Sequence, residues 1–364
     1  MMSNIPFESV PILDYSLSQG PQKPLFLSQL RHAIINVGFL YLSHHTVPAS
    51  LVEEVKAYTP RFFDLPQTKK DELRMANSPH FLGYSRLAAE ITKGEVDQRE
   101  QIDIATEFEC KYKEGDPIYT RLWGQSQWPD ESDLPGFRAV MTEYFNSVAT
   151  LSYRFLELIS ESLGLAPDAL STFLKDPADL CHRGKIVKYP TQVAGASTQG
   201  VGPHFDAGFL TFLLQVTDQP GLQVQNPKGE WIAASPIDGT FVVNIGKGLE
   251  TVTRNVALAT SHRVLSPPVG SGPRYSIPFF QAISQHVRLS DYHLDFPPDA
   301  IELRDARGDT HVDSVNFSEF KTDYSGLVNL IGRIKSHPDV AERHYPELFA
   351  KYFPNGMPFK VSAY

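Results

Sequence analysis

The sequence predicts an α+β protein whose centre is mainly β, a sandwich or barrel held between helical regions. Three observations carry that expectation. The first half spaces apolar residues helically and ends in a stripe of Tyr144, Val148, Leu151, Phe155 and Leu158 that closes at Gly164. From about Arg183 the texture changes to short apolar or alternating runs, separated by Gly, Pro, Asn and Asp at hairpin intervals. Helical spacing returns in the tail, over residues 316–334.

In chain order, Val10-Pro11-Ile12-Leu13-Asp14 reads as an edge strand, because its proline cannot donate to a ladder. Residues 27–36 place Leu27, Leu30 and Ile34 on one helical face, and residues 38–42 follow as a buried strand. A second helix over 51–63 stops before Leu65-Pro66, and the stripe above makes 137–165 the longest helix. Strands are expected at 185–189, 209–216, 222–225, 231–233, 240–245, 260–264 and 275–280. The closing segment, 345–364, is aromatic and contains proline. The division that results is a helical support region at 1–180, a β core at 181–285 and a helical tail at 286–364 that covers the site.

Composition narrows the function. With 41% hydrophobic and 21% charged residues the chain is an ordinary globular one that can bury a core. A net charge of -9 lacks the basic face that phosphate neutralisation needs, so no nucleic-acid partner is expected. No apolar run reaches membrane-spanning length, and the first ten residues lack a signal-peptide profile. Cys110 and Cys181 cannot build a disulfide framework. These features point to a cytoplasmic protein, a monomer or weak homo-oligomer, that acts on a small molecule.

His204-Phe205-Asp206 carries the chemistry. Positions i and i+2 of a strand share a face, so an imidazole and a carboxylate approach one ion together while Phe205 points away. His262, 56 residues beyond Asp206, supplies a third ligand from another strand. Two His and one carboxylate on one side of an octahedron leave open positions, as in Fe(II) oxygenases. His-x-Asp occurs four times, so the motif alone decides nothing. At His293-Leu294-Asp295, His311-Val312-Asp313 and His337-Pro338-Asp339 the surroundings suit solvated loops or helix caps; only the first instance precedes an apolar strand.

Arg274-Tyr275-Ser276 repeats the i, i+2 logic twelve residues after His262, presenting a guanidinium and a hydroxyl on one face. A planar guanidinium grips a carboxylate bidentately, which suits an acid cosubstrate. Tyr189 can add a second hydroxyl, or simply pack in the barrel wall.

These residues resemble a family. Val201-Gly202-Pro203-His204-Phe205-Asp206 with Phe209-Leu210-Thr211, Gly221-Leu222-Gln223-Val224, Val242-Val243-Asn244-Ile245-Gly246, Ser261-His262-Arg263-Val264 and Pro273-Arg274-Tyr275-Ser276 are similar to successive motifs of the 2-oxoglutarate- and Fe(II)-dependent oxygenases, in their isopenicillin N synthase-like branch. Gly38-Phe39-Leu40-Tyr41, Phe62-Phe63-Asp64-Leu65-Pro66, Gly83-Tyr84-Ser85 and Asp97-Gln98-Arg99-Glu100 extend the resemblance into the first half. It implies a double-stranded β-helix, or jelly roll, with Fe(II) on His204, Asp206 and His262. It also implies 2-oxoglutarate held by Arg274, Ser276 and Tyr189, and O2 as the oxidant. Lys247, where the family usually carries an acidic residue, is a departure.

Tyr84, Phe209, Phe212 and Phe280 are the candidates for a substrate pocket, with ordinary core packing as the alternative. Two other functions stay open at this point. An oxidase that keeps the triad and Arg-x-Ser works without 2-oxoglutarate, and a ligand-binding module keeps the fold without turnover. The substrate, and the choice among hydroxylation, desaturation and ring closure, are not written in these motifs, although small molecules of secondary metabolism fit.

Overall fold

The computed structural model describes residues 7–92, 95–176, 179–192, 197–307 and 323–357. Its first half runs β1 (Ile12–Asp14), α1 (Lys23–His32), β2 (Phe39–Ser43), α2 (Ala49–Phe63), α3 (Gln67–Glu72), β3 (Gly83–Ser85), β4 (Ile91–Thr92), β5 (Glu95–Val96), β6 (Glu100–Ala105) and α4 (Phe137–Ser162). The core strands are β7 (Arg183–Tyr189), β8 (Gln199–His204), β9 (Leu210–Gln215), β10 (Leu222–Gln225), β11 (Trp231–Ala233) and β12 (Thr240–Ile245). After the short α5 (Lys247–Val252) come β13 (His262–Leu265) and β14 (Arg274–Phe280). Helices α6 (Pro298–Arg307), α7 (Ser325–Ser336), α8 (Pro338–His344) and α9 (Pro346–Tyr352) close the chain. No helix among the described residues is long and apolar enough to cross a membrane.

Eight strands form a main sheet in the order β1-β2-β12-β9-β14-β7-β6-β3, and four form a second sheet, β11-β10-β13-β8. The two face each other across a cluster that includes Phe39, Val187, Tyr189 and Val242 from the first and Val201, Leu222 and Val264 from the second. This is the double-stranded β-helix with helical flanks. Strand β1 is an edge, as expected, and pairs in parallel with β2. The first half is more than a helical support, however, since β1, β2, β3 and β6 extend the main sheet on both sides.

Strand period two divides the main sheet into a chemical face and a structural one. On β9, Phe212 and Leu214 join the helix-backed core, while Thr211 and Leu213 line the space between the sheets. On β14, Tyr275, Ile277 and Phe279 face that core, and Arg274, Ser276, Pro278 and Phe280 face the cavity. The stripe of α4 covers the apolar face, with Phe155 edge-on to Phe212 at 5.7 Å between ring centroids. The tail helices pack on a separate cluster of Leu330, Ile334 and Val340 with Phe81, Tyr119 and Leu122. The expected helix at 316–334 begins at Ser325, and its first residues, 316–322, lie outside the described residues.

Between α1 and β2 the chain unwinds through a π-turn, Ala33–Val37, that ends at Gly38 with φ +73. A Cβ there would stand 2.3 Å from the Leu258 carbonyl oxygen and 2.4 Å from Thr260 Oγ1. Only glycine offers both the left-handed backbone and the room. Thr260 in turn donates to the Val37 carbonyl at 2.7 Å, so this corner positions the chain that leads into His262. Gly38→Ala should therefore lower stability by at least about 1–3 kcal/mol from backbone strain alone, seen as a lower thermal midpoint; an unchanged midpoint would show that the corner relaxes freely.

Candidate metal centre

Strands β8 and β13 pair antiparallel with His204 directly opposite His262. His204 ends its strand and His262 begins its own, so both imidazoles stand at the same end of the second sheet. Asp206 sits two residues past β8, in the loop to β9, rather than on the strand that the i, i+2 pattern suggests. Its place is fixed by the backbone: the Lys247 amide donates to its carbonyl at 2.8 Å and the Gly248 amide to that of Ala207 at 3.0 Å.

The three side chains place one donor atom each within 4.8 Å of one another. Nδ1 of His204 lies 2.8 Å from the Gly202 carbonyl and Nδ1 of His262 3.2 Å from that of Thr260. With those nitrogens donating, each Nε2 carries the lone pair that a metal takes. The Nε2 atoms lie 4.0 Å and 3.9 Å from the two Asp206 oxygens. Asp206 Oδ2 accepts from Thr211 Oγ1 at 2.5 Å and from Asn244 Nδ2 at 2.8 Å, which sets the carboxylate plane. Burial would raise the Asp206 carboxyl, but the imidazoles of His262 and His204 and these two donors outweigh it and hold it below its usual value. Burial, helped by His262, pushes the His204 imidazole down to about 3, the neutral form that ligates. Neutral nitrogens and one carboxylate on one side of an ion are a donor set suited to Fe(II).

Further into the same cavity, about 200 Å³ in volume, lies Arg274, fully buried. Nη2 donates to Gln215 Oε1 at 3.0 Å and Nη1 reaches Ser276 Oγ at 3.4 Å, while Nε is buried with no partner among the described residues. Tyr189, its cross-strand partner on β7, holds its ring 5.1 Å from the guanidinium carbon. Burial pulls the guanidinium pKa below its usual value, with Tyr189 opposing. Among the described residues no carboxylate pairs with this cation. A buried, underpartnered guanidinium fits a carboxylate brought in from outside.

The four pocket candidates separate. Phe280 lines the cavity. Phe212 and Phe209 are fully buried in the helix-backed core, Phe209 against Phe173, because strand parity and the loop before β9 turn them from the metal. Tyr84 is also core, its hydroxyl donating to Glu100 at 2.6 Å. These three are corrected to structural roles. Of the other His-x-Asp pairs, His293 and Asp295 form an exposed contact of 3.3 Å, and 311–313 lie outside the described residues. His337 sits at the start of α8 but is buried against Glu90 instead of solvated. Lys247 pairs with Glu250 and lies 4.6 Å over the Phe205 ring, away from the donor atoms. Asn244, Thr211 and Gln215 were missed as functional residues; they are polar side chains on otherwise apolar strands, and that was the available signal.

A larger hollow of about 500 Å³ runs along α4 on the other side of the main sheet. Its histidine, His182, is locked by Tyr153 Oη at 2.6 Å and the Ala282 amide at 2.9 Å, and burial takes it down to about 3. Glu107 also lines this hollow, but among the described residues no cluster of three ligand groups forms there.

Comparison with known proteins agrees with this geometry. Residues 180–283 match the family described as the 2OG-Fe(II) oxygenase superfamily, and residues 10–131 match the N-terminal family described as non-haem dioxygenase in morphine synthesis. The 2-oxoglutarate-dependent dioxygenase frbJ of Dothideomycetidae sp. (strain 11243) is 44% identical over 355 residues, 94% of each chain. The homoarginine-6-hydroxylase 2-ODD-C23 of Glycine max is 33% identical over 75% of this chain and 85% of its own. The crystal structure of a full-length Neurospora crassa protein in complex with alpha-KG superposes with a TM-score of 0.70 at 25% identity, covering 90% of this chain and 96% of that one.

Because Asn244 and Thr211 act on Asp206 by donating to its Oδ2, Asn244→Ala should weaken Fe(II) binding about 10–100-fold. The measurement is a metal titration of the stripped protein, with circular dichroism unchanged. Affinity equal to that of the parent would remove Asn244 from the site.

Proposed function

The chain belongs to the 2OG-Fe(II) oxygenase superfamily, and on that premise we propose that His204, Asp206 and His262 are its iron ligands and that Arg274, Ser276 and Tyr189 hold the cosubstrate carboxylate. The enzyme is a 2-oxoglutarate-dependent dioxygenase that uses Fe(II), 2-oxoglutarate and O2 on a small organic molecule. One observation carries the residue assignment: the buried guanidinium of Arg274, which has no carboxylate partner among the described residues, lies in the cavity that also contains the triad. Iron, when bound, supplies O2 activation coupled to oxidative decarboxylation of 2-oxoglutarate to succinate, and so the oxidation of a substrate C–H bond. The protein's share is binding and orientation. Gln215 and Ser276 aim the Arg274 fork, the Tyr189 ring closes one side of it, and Val201, Leu213, Leu222 and Val264 keep bulk water from the clamp. In that dry setting a charge-assisted pair is stronger than at the surface.

We propose hydroxylation of an amino-acid-sized polar molecule as the reaction. The cavity volume is below the roughly 300–1,000 Å³ of pockets for drug-sized ligands, and 2-oxoglutarate must share it. Relatives named homoarginine-6-hydroxylase, in Glycine max and Oryza sativa, support the same size class and outcome. Two free cysteines, Cys110 exposed and Cys181 buried, are compatible with the reducing cytoplasm as its site of action.

Substitution separates the two halves of the assignment. His204→Ala and Asp206→Ala should each lose stoichiometric iron after dialysis, and retained iron would overturn the ligand set. Arg274→Ala should keep iron but raise the 2-oxoglutarate half-saturation for succinate formation by roughly 2–4 kcal/mol of lost binding. An unchanged half-saturation would move the carboxylate elsewhere.

A further inference from the structure

We propose that Arg99 and Lys185 form a substrate subsite for a carboxylate, so that the substrate is a small organic acid seated with its acid group on these two cations. The inference rests on the reading of the site given above and names the substrate's recognition group.

Arg99, just before β6, and Lys185, on β7, line the cavity together with the metal triad. Behind them stands a buried cluster of three carboxylates, Glu90, Asp97 and Asp103, and the amide of Gln101, with Arg333 and His337 arriving from the tail helices. Of all these side chains only the two cations reach the cavity wall. The cluster thus keeps its carboxylates inside and shows the substrate space its positive groups.

Hydrogen-bond accounting points the same way. Glu90 accepts from Gln101 at 2.8 Å and from Arg99, and it also contacts Lys185 and His337 at 3.4 Å each. Asp97 accepts from Thr92 at 2.8 Å, Gln199 at 3.1 Å and the Gly202 amide at 3.3 Å, with Arg99 at 3.3 Å. Asp103 has Gln101 at 2.8 Å and Lys185 at 3.1 Å. Each of the three carboxylates thus has at least two donors. The donors have capacity left: both contacts of Arg99 use Nη2, and its Nε is buried with no partner among the described residues. Lys185 sits 3.1–3.4 Å from its acids, longer than the roughly 2.7–2.9 Å of a charge-assisted bond. Gln101 Oε1 also lacks a partner, but Gln101 does not line the cavity. The unfilled capacity of these two lining residues is therefore for an acceptor. An anion there gains two cations already fixed in place, at little further ordering cost.

Lys188 is the internal control. It lies on the same strand, paired with Glu100 at 2.9 Å beside Lys70 and Tyr84, and is not part of the cavity wall.

The test is an anaerobic titration of enzyme carrying Fe(II) and 2-oxoglutarate, followed by the visible charge-transfer band of the chelate. The probes are L-norleucine, L-lysine, L-arginine and L-homoarginine, each against its own carboxamide. At least one acid should perturb the band, with its carboxamide at least about tenfold weaker. Arg99→Gln and Lys185→Gln should each weaken that acid at least about tenfold, Arg99→Lys less, and Lys188→Gln not at all. In each variant the half-saturation of the band by 2-oxoglutarate alone should stay within about threefold of the parent, which also certifies the fold. A carboxamide equal to its acid, an unweakened acid in both glutamine variants, or no binding by any probe overturns the subsite. A parent enzyme with no band from 2-oxoglutarate alone would instead overturn the cosubstrate reading beneath it.

Discussion

The register of β8 against β13 is the constraint on which the site depends. Because side chains alternate along a strand, a slip of one residue would turn either His204 or His262 away from the other and leave no metal site. The pairing is irregular immediately after this point, with register shifts between His262 and Leu265. The opposed histidines are thus held at the end of the ladder, not in its regular middle. What holds them is a set of neighbours: the Gly38 corner beside Thr260, outside β8, and the Gly202 and Thr260 carbonyls that orient each ring. Asp206 completes the triad from the other sheet's side, since its orienting partners, Thr211 and Asn244, stand on β9 and β12. An ion on this triad would therefore tie the two sheets together, and its binding energy would add to the stability of the sandwich.

Period two lets one strand serve two masters. Alternate residues of β9 and β14 build the helix-backed core and the cavity wall, so the chemical face inherits the rigidity of the packed one. Arg274 shows the consequence. A fully buried guanidinium with an unpartnered Nε is costly, and it persists because Tyr275 and Ile277 on either side of Ser276 anchor its strand in the core. The unsatisfied donor is the feature on which the proposed carboxylate clamp rests.

Much of this was readable from residues and spacing, and the failures share a cause. The strands with clean apolar alternation or runs, from β9 to β14, fell within a residue or two of expectation. Strand β8 did not, because Gly200-Val201-Gly202-Pro203 has no period and its strand form comes from pairing with β13. Strand β6 was hidden because Gln101 and Asp103 occupy its second face, so a buried strand looked like a polar one. Aromatic residues misled in the opposite sense. Phe209, Phe212 and Tyr84 attracted a substrate role by type, but which face a side chain takes follows from strand parity and not from its chemistry. Asp206 was placed on a strand by its spacing from His204, yet it works from a loop pinned by Lys247 and Gly248 amides that are distant in sequence.

The buried charges around Glu90 extend the same logic beyond the metal. Burying a carboxylate is unfavourable unless donors surround it, and Glu90 is surrounded from three parts of the chain: Arg99 and Gln101, Lys185, and His337 of the tail. Removing any one partner would weaken the compensation of a buried charge, so the elements that carry them are coupled to one another. The tail helices, which contribute none of the cavity-lining side chains, thereby act on the wall indirectly. Through His337 and Arg333 they hold the acids that hold Arg99 and Lys185. The triad and the buried Arg274 are placed by two sheets, whereas this cluster is where residues far apart in the chain set part of the cavity wall.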